Sequence, residues 1–131
     1  MPSKPKVFRP PHLPTRQEQD HAFDQRRGSA RKRGYNASWD RAALAFKNSH
    51  PLCLGCEAMG RIVVCEVVDH VMPHKGDMAV FWDPTRWQSS CRWHHDVVKQ
   101  RLEALYASGR ITADDLWLNS KVAIEIASGL Q

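Results

Sequence analysis

The pattern of apolar and polar positions in the ordered part of the chain begins with a helix. Apolar side chains recur every three or four residues over 38–48, and Asn36 or Ser38 can cap the first turn. The apolar face consists of Trp39, Ala43 and Phe46. The helix is expected to end at His50, because a residue that precedes proline avoids the helical conformation.

The following residues predict two strands and three more helices. Residues 61–68, RIVVCEVV, are rich in β-branched side chains and predict a strand. Residues 87–90 are expected to form a short second strand, and the apolar periodicity of 93–107 predicts a helix. Two short helices are predicted at 113–118 and 120–128. This order predicts an α+β fold in which a small hairpin is flanked by helices.

The composition divides the chain into three parts. Its 131 residues, of which 42% are hydrophobic, suffice for one domain with a modest core. We expect a basic, proline-rich arm over 1–34, an ordered domain over 35–108, and a short helical tail over 109–131 that packs on the domain. No apolar run approaches the roughly 20 residues of a membrane span, and the N-terminus lacks the apolar segment of a secretory signal. We therefore expect a cytoplasmic protein whose cysteines are reduced or bound to metal.

Positive charge is concentrated in the first 33 residues. They contain nine Lys or Arg and three Asp or Glu, whereas the net charge of the whole chain is +5. Five of the eight prolines lie in residues 1–14, which predicts a segment without fixed structure. A basic arm on a nearly neutral domain indicates a polyanionic partner, most simply DNA. A solubilising tail is the alternative.

Two pairs of potential metal ligands share one spacing. Cys53 and Cys56 form a C-x2-C pair, and Cys91 and His94 form a C-x2-H pair. Structural zinc takes four nitrogen or sulfur ligands in a tetrahedron, often from such pairs. We therefore predict a structural Zn²⁺ site, with buried apolar cysteines or a redox pair as the alternatives. The fourth cysteine, Cys65, lies in the predicted strand and is expected in the core.

A second group of polar residues lies where the predicted strand ends and the predicted helix begins. Asp69 and His70 end the valine-rich strand, and His95 opens the helix, so the three side chains can converge. A carboxylate and an imidazole suit a divalent ion with open positions, and a free imidazole beside the ion suits a general base. His94 and His95 point about 100° apart on a helix. One of them can therefore face the zinc while the other faces the cleft.

These motifs together resemble the HNH endonuclease family, in particular its small zinc-containing members from bacteriophages and bacterial genomes. The resemblance covers about residues 35–100 and rests on HPLC-x2-C, DH-x2-PH-x-GD, FWDP and WQ-x2-C-x2-HHD. It implies a ββα-metal core that hydrolyses DNA phosphodiester bonds and leaves 5′-phosphate and 3′-hydroxyl ends.

The resemblance also implies a role for each matching residue. His70 matches the general base that activates water, and Asp69 and His95 match the ligands of a catalytic ion such as Mg²⁺, Mn²⁺ or Ni²⁺. The zinc ligands that it implies are Cys53, Cys56, Cys91 and His94. The family more often has cysteine at the last of these positions, and histidine is a chemically acceptable zinc ligand there.

One position departs from the family pattern. The motif's asparagine usually stands just before WQ and braces the loop that carries the base, but Arg86 occupies that position here. Arginine donates hydrogen bonds and accepts none, so Arg86 is expected to contact DNA phosphate instead. His74, Lys75 and Arg92 are further candidates for nucleic-acid contacts, with local hydrogen bonding or ordinary surface charge as the alternative.

The replacement of the motif's asparagine by Arg86 is also compatible with a second function. A zinc-stabilised DNA-binding module without catalysis is the alternative to a nuclease, since a loosened base would lose rate steeply. A phage packaging accessory, whose nuclease works only beside a terminase, is compatible with the nuclease interpretation.

Overall fold

A computed structural model of the protein describes residues 13, 15–20 and 34–130. The described helices and strands form an α+β domain around a two-stranded sheet. In chain order they are α1 (Ala37–Ser49), α2 (Leu54–Ala58), β1 (Val67–His70), α3 (Met78–Phe81), a 3₁₀ turn (Pro84–Arg86), β2 (Trp87–Ser90), a π-helical turn (His94–Val98), α4 (Lys99–Ala107), a second 3₁₀ turn (Ala113–Leu116) and α5 (Lys121–Gly129).

Most of the predicted arm lies outside the described residues. Within it, the structure describes a helical stretch over residues 16–20. Thr15 and Glu18 cap its start reciprocally, because each side chain accepts a hydrogen bond from the other residue's backbone N–H. No helix in the described part of the chain is long and apolar enough to cross a membrane.

Helix α1 matches the helix predicted over 38–48. The side chain of Asn36 caps it by accepting a hydrogen bond from the backbone N–H of Trp39 at 3.2 Å, so the cap is Asn36 and not Ser38. The helix ends at Ser49, one residue before the His50-Pro51 pair, as predicted. On its apolar face, Trp39 belongs to a buried cluster with Val68 of β1, Phe81 and Trp87.

The sheet pairs β1 with β2 in antiparallel register. Asp69 lies opposite Gln88, and His70 lies opposite Trp87. The prediction for β2 is confirmed, but the strand predicted over 61–68 is wrong in its bounds, since β1 begins at Val67 and includes Asp69 and His70. β2 offers only four residues for pairing, and the earlier part of the predicted strand makes a single bridge, between Val64 and Leu52. Asp69 and His70 are the last two residues of β1, so they end a strand, as predicted.

The helix predicted over 93–107 is present in two parts. It starts with a π-helical turn, in which the backbone N–H of Lys99 donates to the carbonyl of His94, and continues as α4 to Ala107. The helix predicted over 120–128 is confirmed as α5, with Ser120 as its cap. The helix predicted over 113–118 is a short 3₁₀ turn instead, because the chain becomes extended at Trp117.

Three apolar clusters lie among the described residues, and the third consists of Cys53, Cys56 and Cys91. The first joins α1, the sheet and α3, and consists of Trp39, Val68, Phe81 and Trp87. The second joins α4 to the C-terminal segments, and consists of Val71, Val98, Leu102, Leu116, Leu118, Ala123 and Ala127. Val68 and Val71, which flank Asp69 and His70, belong to different clusters. Both clusters therefore hold the segment that carries the candidate site.

Candidate metal centre and cleft

Three cysteines and one histidine converge in the interior. Cys53 caps α2, since its Sγ accepts a hydrogen bond from the backbone N–H of Cys56 at 3.4 Å. Cys91 holds the first turn after β2 in the same way, by accepting from the backbone N–H of His94 at 3.4 Å. The four ligand atoms lie within 4.8 Å of one another, and all four residues are buried. We call this group the Cys3His cluster.

The spacing inside the Cys3His cluster suits a tetrahedral ion. The Sγ atoms of Cys56 and Cys91 are 3.7 Å apart, and Nδ1 of His94 is 3.4 Å from each of them. Zn–S bonds of about 2.3 Å and Zn–N bonds of about 2.0 Å at tetrahedral angles give ligand separations of roughly 3.8 Å and 3.6 Å. The cluster can therefore hold a metal ion such as zinc.

The orientation of His94 supports the same conclusion. Its Nδ1 faces the sulfur atoms, while its Nε2 is buried without a hydrogen-bond partner among the described residues. Gly55 leaves the space for the ring, because a Cβ at that position would lie 2.3 Å from Cδ2 and 2.5 Å from Nε2. A buried nitrogen without a hydrogen bond and a glycine within a helix both cost stability, and both accompany the placement of Nδ1 in the cluster.

The thiol of Cys56 needs a nearby cation to ionise at neutral pH. Burial, together with Cys53 and Cys91, raises the pKa of Cys56 to about 12. A bound metal ion would supply the opposing positive charge. All four cysteines are free thiols, so the structure contains no disulfide. Cys65 lies outside the cluster and is buried, as predicted, and its thiol donates to the carbonyl of Val67.

A separate cleft of about 480 Å³ brings together Asp69, His70 and His95. The first two residues come from β1 and the third from the π-helical turn. Oδ1 of Asp69 accepts a hydrogen bond from Nδ1 of His95 at 2.9 Å. This bond raises the pKa of His95, and burial opposes the shift. The three residues therefore converge in the structure.

Asp69 is buried, and each of its two carboxylate oxygens contacts a polar side chain. Its Oδ2 accepts from Nε2 of Gln88 at 2.8 Å and lies 3.1 Å from Nζ of Lys99. Burial alone would raise the pKa of Asp69, but the bond from His95 and the charge of Lys99 outweigh it and lower the pKa. Neither Gln88 nor Lys99 is among the site residues predicted from the sequence. The i+4 spacing of Lys99 from His95 was the available signal.

His70 is oriented by a backbone carbonyl. Its Nε2 lies 3.0 Å from the oxygen of Phe81, which can only accept, so Nε2 carries the proton and Nδ1 carries the lone pair. Trp87 donates to the same oxygen from Nε1 at 3.0 Å. The His70 ring also stacks on Trp39, with centroids 4.8 Å apart. Burial lowers the pKa of His70 to about 4, with His74 as the second cause, so the ring is neutral at neutral pH.

The four predicted nucleic-acid contacts divide into two pairs. His74 and Lys75 line the cleft, together with Tyr35, which the sequence did not indicate. Nε2 of His74 is 3.0 Å from the hydroxyl of Tyr35, and Nδ1 accepts from the backbone N–H of Gly76. Arg86 and Arg92 are exposed and are not among the described residues that line this cleft.

The cleft and the Cys3His cluster are adjacent through one peptide bond. His94 lies in the cluster, and His95 lies beside Asp69 in the cleft. The two rings therefore serve different groups of side chains, although they are neighbours in the chain. Comparisons with models of protein families, with curated proteins and with solved structures find no match for this chain.

Proposed function

We propose that this protein is a metal-dependent endonuclease of the HNH type, which hydrolyses phosphodiester bonds in DNA. The observation that carries the proposal is the convergence of Asp69, His70 and His95 in one cleft beside the Cys3His cluster. The combination unites a neutral base, a carboxylate and a second imidazole within reach of a common substrate atom.

His70 is the general base in this proposal. The carbonyl of Phe81 fixes its Nε2–H, which leaves the lone pair on Nδ1 to accept a proton from the attacking water. The water oxygen bonds to phosphorus, the bond from phosphorus to the 3′-oxygen breaks, and that oxygen takes a proton from solvent water. His70 then releases the proton that it accepted to solvent. The products carry 5′-phosphate and 3′-hydroxyl ends.

The same carbonyl answers the question raised by Arg86. A base that lacked its asparagine brace would be poorly oriented, but the Phe81 oxygen holds both His70 and Trp87. The orientation of the base therefore does not depend on the side chain at position 86. This favours an active enzyme over a DNA-binding module.

Asp69 and His95 are the candidate ligands of the catalytic ion. Oδ1 of Asp69 and Nδ1 of His95 are 2.9 Å apart. Bonds of about 2.1 Å at right angles, as in Mg²⁺ sites, place neighbouring ligands about 3.0 Å apart. The pair thus fits one divalent ion once Nδ1 loses its proton. Such an ion would neutralise charge on the phosphate and the leaving oxygen.

The test is cleavage of supercoiled plasmid by purified protein in Mg²⁺, Mn²⁺, Ni²⁺ or EDTA. Cleavage should require a divalent ion and fall at least about a hundredfold in His70→Ala, since general bases contribute roughly 10²–10⁴ in rate. His50→Ala is the matched control, because His50 is exposed at the end of α1. Equal cleavage by wild type and His70→Ala would refute the proposal. Plasmid that is bound but left uncut by every variant would favour the binding module.

A further inference from the structure

Lys99 places a buried charge directly behind the cleft. Its side chain is 1% exposed, and burying an ammonium is costly unless it is paired. Nζ donates to the carbonyl oxygen of His70 at 2.7 Å and to Oε1 of Glu103 at 3.0 Å, and it lies 3.1 Å from Oδ2 of Asp69. The ammonium therefore has two hydrogen-bond acceptors and a second carboxylate as an ion-pair partner.

These contacts join the two elements that carry the cleft residues. Asp69 and His70 belong to β1, whereas Lys99 follows the π-helical turn that begins with His94 and His95. The ammonium fixes the carboxylate and the backbone of the base relative to the helix that carries the third residue. Because a misplacement of about 1 Å can cost about a hundredfold in rate, this link matters for catalysis.

The same ammonium limits what Asp69 offers to a cation. Gln88 and Lys99 both hold Oδ2, and Oδ1 is the oxygen that faces His95. If an ion bound to Oδ1, the carboxylate of Asp69 would have this ion on one oxygen and the ammonium of Lys99 beside the other. Repulsion between two such charges is strong in a partly buried site. Lys99 therefore opposes binding of the ion while it aligns the groups around it.

We propose that Lys99 is a positioning residue, which aligns Asp69 and His70 for cleavage at the expense of affinity for the metal ion. The inference rests on the proposed nuclease function. Removal of the charge should therefore tighten metal binding and slow cleavage, whereas the loss of a merely structural residue would weaken both.

The test uses Lys99→Met, which keeps the apolar stem and removes the charge. Mn²⁺ binding to the zinc-loaded protein is measured by electron paramagnetic resonance. Only the binding that is lost in Asp69→Asn is assigned to the cleft. The Mn²⁺ dissociation constant should fall at least tenfold, and plasmid cleavage at saturating Mn²⁺ should slow at least tenfold. Arg101→Met is the matched control, since it removes an exposed cation from the same helix, and it should leave Mn²⁺ binding unchanged.

The two readouts separate the possible failures. Weaker Mn²⁺ binding, or an unchanged cleavage rate, in Lys99→Met would overturn the proposal. If that variant lacks a cooperative thermal transition, Glu103→Gln provides the test, because it leaves the ammonium less neutralised and should raise the Mn²⁺ dissociation constant at least threefold. An unchanged constant in that variant would also overturn the proposal. Wild type that neither binds Mn²⁺ through Asp69 nor cuts plasmid would refute the nuclease itself, and this inference with it.

Discussion

Gly55→Ala should damage the Cys3His cluster without touching any of its ligands. The new Cβ would lie 2.3 Å from Cδ2, 2.5 Å from Nε2 and 2.9 Å from Cγ of His94. Ordinary contact begins near 3.4 Å, so the ring must retreat by about 1.1 Å, the difference between 3.4 Å and 2.3 Å. Metal–ligand distances tolerate only about 0.2 Å. Nδ1 therefore leaves the metal, or the backbone of α2 moves and displaces the neighbouring Cys56.

The size of the effect follows from two opposing contributions. Overpacking costs about 1–3 kcal/mol, and the weakened metal site adds to that. Alanine gains up to about 1 kcal/mol over glycine in a helix. We therefore expect a net loss of about 2 kcal/mol or more in the free energy of unfolding.

The assay combines guanidinium unfolding with measurement of bound zinc per chain. Gly129→Ala is the matched control, because it lies in helix α5 and its Cβ would meet no atom within 4 Å. The control should change stability by less than about 0.5 kcal/mol. If Gly55→Ala bound one zinc per chain and unfolded at the wild-type midpoint, the placement of His94 in the cluster would be wrong.

Two further predictions concern the metal and the arm. Removal of zinc by a chelator should abolish the cooperative thermal transition, since zinc sites contribute about 10–16 kcal/mol and whole domains are stable by about 5–15 kcal/mol. Cys53→Ala should have the same effect and Cys65→Ala should retain zinc, and a metal-free protein with an unchanged melting temperature would contradict this. Deletion of residues 1–33 should weaken DNA binding and flatten its salt dependence, because each phosphate contact adds about 0.9 to the slope of log K against log salt. An unchanged slope would show that the arm does not contact DNA.

Local spacing predicted the parts of this protein that depend on neighbouring residues. The C-x2-C and C-x2-H pairs identified the residues of the Cys3His cluster, because each pair is formed within one turn. The periodicity around Trp39 predicted α1 because a helix is set by residues three and four positions apart. The nuclease interpretation stays a prediction.

The predictions that were wrong, and the site residues that were missed, depend on contacts between residues far apart in the sequence. The β-branched run of residues 61–68 has high strand propensity, but propensity does not supply a pairing strand, and β2 pairs only with residues from Val67 onward. The carbonyl of Phe81 has no sequence signature, since every residue carries one. The contacts of Gln88 and Lys99 with Asp69 depend on the fold, which brings the three residues together from distant parts of the chain.

The adjacency of His94 and His95 makes the cleft dependent on the state of the interior cluster. A planar peptide unit joins the two residues, so a shift of the backbone at His94 also moves the backbone of His95. A cation bound in the Cys3His cluster would hold His94 in place and would thereby help to position His95 beside Asp69. A cell short of that cation would then produce chains whose cleft is unassembled, so the supply of the cluster's metal would govern the proposed nuclease activity.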